Sequence, residues 1–224
     1  ETQRPELPKT DDEGKERKPY DISKIDFERL KQEFQRSPTK HSTVQELKSV
    51  VEMKLQRLIA QNPLRTDFQK HFEKIVEEYN REKDRVTIEK TFADLLKLAQ
   101  DLDEEERRAV REGLNEESLA LFDLLKKPEL SPRQIKRIKA VSVELLQTLK
   151  EEKLRVDQWR DKEATRDAVR ITIHDFLYSD KTGLPLPLYP ENEVKKRAEE
   201  IYRHVFRAYP TIPSPFYQTV AETG

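Results

Sequence analysis

The residues that could do acid–base, nucleophilic or metal chemistry are spaced so that they form no familiar centre. The four histidines, His41, His71, His174 and His204, stand far apart, and none falls in an HExxH or comparable metal spacing. Glu200 and His204 are four residues apart, an ordinary relation on a charged helix. Nearly all of the carboxylates fall on polar helix faces, where they stay solvated, whereas general acid–base work needs a shifted pKa. An Asp…Glu-x-Lys nuclease pattern can be assembled from Asp84 with Glu151, Glu152 and Lys153. Such metal sites sit on a strand core, and both segments here read as helix. Glycine occurs only at 14, 113, 183 and 224, so a GxxxxGK[ST] phosphate loop is absent. With no cysteine there is no disulfide, thiolate zinc site or thiol nucleophile. No catalytic or metal-ligating residue is assigned, and no cofactor is expected in this chain.

Binding is a different matter, because cations cluster. Lys126 to Lys139 holds six Lys and Arg against Glu129, and Lys195 to Arg207 holds five against Glu199 and Glu200. Either group could meet a phosphate backbone. Arg65, Arg133, Lys136 and Arg137 are the candidate DNA contacts. The competing reading is a solvated face that balances the acidic stretch Asp103 to Glu117. No base-stacking aromatics interleave with these cations.

A second candidate surface lies on the stretch Leu154 to Ser179, which runs 26 residues without Pro or Gly and carries the only tryptophan. At 100° per residue, Thr165, Val169, Thr172, Ile173 and Phe176 share a buried arc, while Glu163, Asp167, Arg170 and His174 share the opposite one. Trp159, Lys162, Arg166 and Arg170 follow the seam between the two arcs. Trp and Arg are favoured anchors at protein interfaces, so the seam is a candidate partner-binding site. Alternatively, Trp159 caps the edge of the core while the stems of Lys162 and Arg166 lie across apolar surface. Thr165, Val169, Ile173 and Phe176 are expected to pack on Val194, Ile201 and Val205 of the last helix.

The elements that must position these residues are helical throughout. Hydrophobic residues make up 34% and charged residues 39%, a balance that suits long, heavily solvated helices when net charge is only −1. Residues 1–19 read as a flexible linker. Ile22, Phe27, Leu30 and Phe34 mark a short amphipathic helix that ends before Pro38. Thr43 and Glu46 have capping-box spacing for a second helix bearing Val44, Leu47, Val51 and Leu58. Phe68, Phe72, Ile75, Val76 and Tyr79 define a third helix after Pro63, and Ile88, Phe92, Leu95, Ala99 and Leu102 a fourth. Asp103 and the glutamates after it suit a helix N-terminus, Gly113 a helix end, and Asn115 and Ser131 the caps of two further helices. A last helix spans about 191–208. The proline-rich tail keeps Tyr209, Ile212, Phe216 and Tyr217, which predicts docking as far as Tyr217.

These signals predict an all-α bundle or array of about eight to nine helices with a docked C-terminal tail. The expected divisions are a linker 1–19, a helical domain 20–150, a C-terminal helical subdomain 151–217 and a frayed tail 218–224. No apolar run is long enough to cross a membrane, and a cytoplasmic location is expected. The chain opens on Glu1 and its one methionine is Met53, from which a part of a longer protein is expected.

Several segments carry a family likeness. NPLRTDFQKHFEKIVEEYN at 62–80 resembles a segment near the C-terminal end of the restriction (motor) subunit of type I restriction-modification enzymes. EESLALFDLL, KAVSVELLQTLK, the Trp159 stretch and YPENEVKKRAEEIYRHVFRAYP are similar to later elements of the same region, in the same order. The likeness covers roughly 20–217. It implies that the intact subunit is an ATP-dependent DNA translocase and endonuclease that uses Mg2+, with nuclease and motor domains preceding the helical region. This chain lacks the nuclease carboxylates and the Walker-type loop, so those activities do not carry over. What the resemblance implies here is a helical region joining the motor to the modification (methyltransferase) and specificity subunits, with duplex DNA as a further partner.

Overall fold

Caps and breakers set most of the helix ends. The computed structural model describes residues 27–82, 84–185 and 188–218, so the expected linker 1–19 and tail residues 219–224 lie outside it. The described elements are α1 (Phe27–Arg36), α2 (Lys40–Gln61), a 3-10 turn (Pro63–Arg65), α3 (Thr66–Arg81), α4 (Arg85–Glu106), α5 (Arg108–Arg111), α6 (Glu116–Leu125), α7 (Pro132–Glu152), α8 (Glu163–Tyr178) and α9 (Glu191–Ala208). There is no strand among the described residues, and the protein is all-α as expected. The Asp84 carboxylate caps α4 by accepting from the Thr87 amide at 2.7 Å, and Asn115 caps α6 through the Ser118 amide at 2.8 Å. Ser131 and Gln134 close a capping box on α7, with Pro132 in the first turn. Gly113, at φ +67°, ends α5: its amide bonds the Val110 carbonyl at 3.0 Å and the Leu114 amide bonds Ala109 at 2.9 Å.

Three local expectations are corrected. Thr43 and Glu46 do not start a helix, because α2 already begins at Lys40. The break is set by Pro38, and the helix restarts as soon as that residue is passed. Asp103 to Glu106 form the last turn of α4 rather than a first turn, and only Glu116 and Glu117 occupy an N-terminal turn, that of α6. The stretch from Leu154 is not one helix either. After α7 the chain runs through successive turns, with Gln158 at φ +53°, and α8 begins only at Glu163.

Two apolar cores organise the helices. One gathers α1 to α4, with Val44, Val51, Leu55, Leu58 and Tyr79 almost fully buried and Phe34 stacked on Phe92. The other gathers α5 to α9, with Leu121, Leu145, Val169, Ile173, Ile201 and Val205 at its centre. Each such side chain contributes about 1.5–3 kcal/mol on leaving water. The α8–α9 pairing is as expected: Val169, Ile173, Val194, Ile201 and Val205 have no exposed surface, and Thr165 and Phe176 are half-buried. Because α7 shares its core with α8 and α9, the two apolar cores divide between Leu102 and Ala109. The tail residue Tyr209 is fully buried, and Ile212 and Tyr217 pack on the second core. No helix among the described residues is long and apolar enough to cross a membrane.

Candidate functional site

Where the two cores meet, the structure concentrates its buried charge. Asn62, fully buried at the end of α2, uses both ends of its amide: Oδ1 accepts from the Leu64 amide at 3.1 Å and starts the 3-10 turn, and Nδ2 donates to Asp123 at 2.7 Å. Asp123 lies in the apolar run of α6 and also receives the Arg108 guanidinium, with Nη1 at 2.9 Å. Arg108 in turn grips Glu105 at the end of α4, with Nε to Oε2 at 2.8 Å and Nη2 to Oε1 at 2.8 Å. Arg65, only 3% exposed, donates to the last carbonyls of α2 at Leu58 (3.2 Å) and pairs with Glu105 (2.8 Å) and Glu116 (2.9 Å). Five charged side chains and one amide thereby join α2, α4, α5 and α6.

The electrostatics follow from that placement. Burial alone would push the Asp123 carboxyl up, but the Arg108 and Asn62 hydrogen bonds outweigh it and hold the group below its ordinary value. Glu105 behaves the same way, burial being outweighed by Arg108 and Arg65. Glu116 goes the other way: burial raises it, and Arg65 offsets that only in part. Arg108 is raised, chiefly by its bond to Asp123.

The tail closes over this junction. The Tyr217 hydroxyl donates to the Gln61 carbonyl at the end of α2 and accepts from His204 Nε2 of α9 at 3.1 Å. Gln61 Nε2 donates to the Phe216 carbonyl at 3.0 Å. Burial pushes the Tyr217 hydroxyl up and pulls His204 down to about 4.

The sequence-predicted sites fare unequally. Trp159 is not part of an open seam. It is 1% exposed, its Nε1 donates to the Tyr209 carbonyl at 2.8 Å, and Phe206 meets its ring edge-on. The turns after α7 fold the ring inward, tied by Thr165 to the Trp159 carbonyl and by Arg166 to the Arg160 carbonyl at 2.8 Å. Lys162 is exposed at the cap of α8, and Arg170 lies 4.0 Å over the Tyr202 ring beside Glu199. The four residues therefore do not share one surface. Arg65 is corrected as a DNA contact as well, since burial and three internal partners keep it from any phosphate. Arg137 is spent on the Lys181 and Gly183 carbonyls of the α8–α9 loop. Arg133 and Lys136 are exposed and have no ion-pair partner among the described residues. Asp84 is a cap, far in role from Glu151 and Glu152, which are exposed on the last turn of α7. No group of three or more His, Cys, Asp or Glu could hold a metal among the described residues.

What sequence reasoning missed is the junction itself. One signal was present: Asp123 interrupts LALFDLL, and a lone carboxylate in an apolar run must find a buried partner. Nothing in the spacing names that partner as Arg108 or Asn62.

The fold and these interactions define an all-α protein of two cores clasped by an internal ionic network. The chain belongs to the family of C-terminal domains of type I restriction enzyme HindI endonuclease subunit-like proteins, whose family profile matches residues 12–207. No curated protein and no solved structure shows significant similarity to it.

Two outcomes follow from this geometry. Asp123→Ala strands Arg108 and Asn62 in the junction and is expected to cost about 3–5 kcal/mol in urea unfolding. The paired replacement of Arg108 by Met and Asp123 by Leu should recover much of that loss, because no charge is left buried. His204 takes up its proton more readily unfolded than folded, so its contribution is complete above pH 6.5 and is lost as pH falls toward about 4. That loss is on the order of 3 kcal/mol. Thermal melts across this window should show it in the wild-type chain and much less of it in His204→Gln.

Proposed function

We propose that this domain is a non-catalytic assembly module that docks an endonuclease and motor subunit on the modification (methyltransferase) and specificity core. The observation that carries this reading is the family match across nearly the whole chain, which makes the domain an appendage of an endonuclease subunit. Its buried ionic residues support the same view, because they are directed at one another rather than into a cleft. The exposed members of the former seam, Lys162 and Arg170, remain accessible to a partner, whereas Trp159 serves the core. ATP and Mg2+ belong, in this reading, to other parts of the subunit. The same reading places the protein in the cytoplasm.

A second reading, duplex DNA support during translocation, draws on Arg133 and Lys136, which stand exposed one turn apart at the start of α7. Such contacts are independent of sequence and weaken steeply with salt.

Co-purification decides the first reading: the endonuclease subunit should be retained by the modification and specificity subunits, and deletion of residues 27–218 should abolish retention. Retention unaffected by that deletion would refute docking through this domain. For DNA, a gel shift of the chain on random duplex at low salt should weaken in Arg133→Glu with Lys136→Glu. Absence of any shift at low salt removes the second reading.

A further inference from the structure

The two cores leave a cleft on the outside of their junction. One basin lies between Gln56, Ile59 and Ala60 of α2, Gln69 of α3, and Arg207 and Phe216 of α9 and the tail. It has no carboxylate in its lining. Beyond Arg207 a second basin is floored by Pro63, Leu64 and Leu124 and walled by α9. Leu64 is 52% exposed and Phe216 37%, large apolar surfaces for a chain this charged.

The cations of the cleft are not equivalent. Arg197 is matched by Glu193 and Glu200, and Arg203 by Glu199. Arg207, which lines both basins, forms no ion pair among the described residues. Each basin thus offers apolar surface, Ile59, Ala60 and Phe216 in one and Pro63, Leu64 and Leu124 in the other beside the paired Arg197, Glu200 and Arg203, and the unmatched Arg207 guanidinium is shared by both. His204, buried in the wall of the second basin, keeps Nδ1 without a hydrogen-bond partner.

We propose that this cleft seats an acidic amphipathic helix from another subunit of the complex. Its central carboxylate meets Arg207, and an apolar side chain about one turn away on either side enters each basin. A helix suits the site because the walls are helices, and helices pack by laying side-chain ridges between those of their neighbours. The inference rests on the assembly reading above and adds to it the face and the chemistry of the partner.

The test uses the endonuclease subunit with the modification and specificity subunits. Arg207→Glu should weaken retention by about tenfold or more, as removal of a central arginine anchor does. Arg207 is exposed and holds no hydrogen bond among the described residues, so the variant should melt at the wild-type temperature. A photo-crosslinker at Gln69 should capture a partner peptide carrying an acidic residue flanked by apolar ones at helical spacing. If the wild-type subunit is not retained at all, the assembly reading falls. If it is retained but Arg207→Glu is retained equally well, the cleft is not the seat and the assembly reading stands. Crosslinking to DNA rather than protein would also overturn the proposal.

Discussion

A carboxylate taken out of water must be matched or protonated, and the charge of Asp123 is the constraint around which this molecule is arranged. Its place in α6 is dictated by the apolar residues on either side, which bury the helix all round. Once there, it needs donors, and they come from two directions. Asn62 arrives from the first core, placed by the abrupt end of α2 before Pro63. Arg108 arrives from α5, a helix too short to contribute much burial of its own. One buried anion therefore ties the last turn of α6 to the end of α2 and to the α5 bridge between the cores.

The same logic explains the acidic end of α4. Carboxylates in a last helical turn oppose the helix dipole, so Asp103 to Glu106 would be unfavourable in isolation. The fold surrounds them with cations from elsewhere. Lys54, 2% exposed in the middle of α2, reaches Asp103 and Glu106, while Arg65 and Arg108 share Glu105. Such pairs add little net stability when compared with apolar packing, but each is costly to leave half made. The Lys54 pairs tie α2 to α4 within the first core, whereas Arg65 and Arg108 extend the network to Glu116 and Asp123 of α6.

Periodicity made the helices legible, and caps made several of their ends legible. Phe72, Ile75 and Tyr79, or Val194, Ile201 and Val205, repeat at spacings that only a helix can use. Ser131 before Pro132 and Asn115 before two glutamates also carry their mechanism in the local sequence. Trp159 was harder to place because periodicity assumes the helix continues. The chain from Lys153 to Lys162 contains no Pro or Gly to announce a break, yet Gln158 adopts a left-handed conformation and the ring turns inward. Arg65 was misread for a related reason. In sequence it is one cation among many, and only the convergence of α2, α4 and α6 shows that it is enclosed. Long-range convergence has no sequence period, so the junction was invisible apart from the isolated carboxylate of LALFDLL.

Counting only the cations of its basic clusters would assign this chain to nucleic acid, and the structure shows why that inference is weak. Of the six cations between Lys126 and Lys139, Lys126, Lys127 and Lys139 pair with Asp123, Glu193 and Glu112, and Arg137 holds backbone carbonyls. The charges bind the molecule to itself. What distinguishes its surface is then the few groups left over, and Arg207 is one that sits among apolar neighbours. Its cleft has one wall on each core, so the width of the cleft depends on the Asp123 network and on the Tyr217 latch between Gln61 and His204. The heavy internal use of charge and the placement of that cleft are, on this structure, two consequences of the same arrangement.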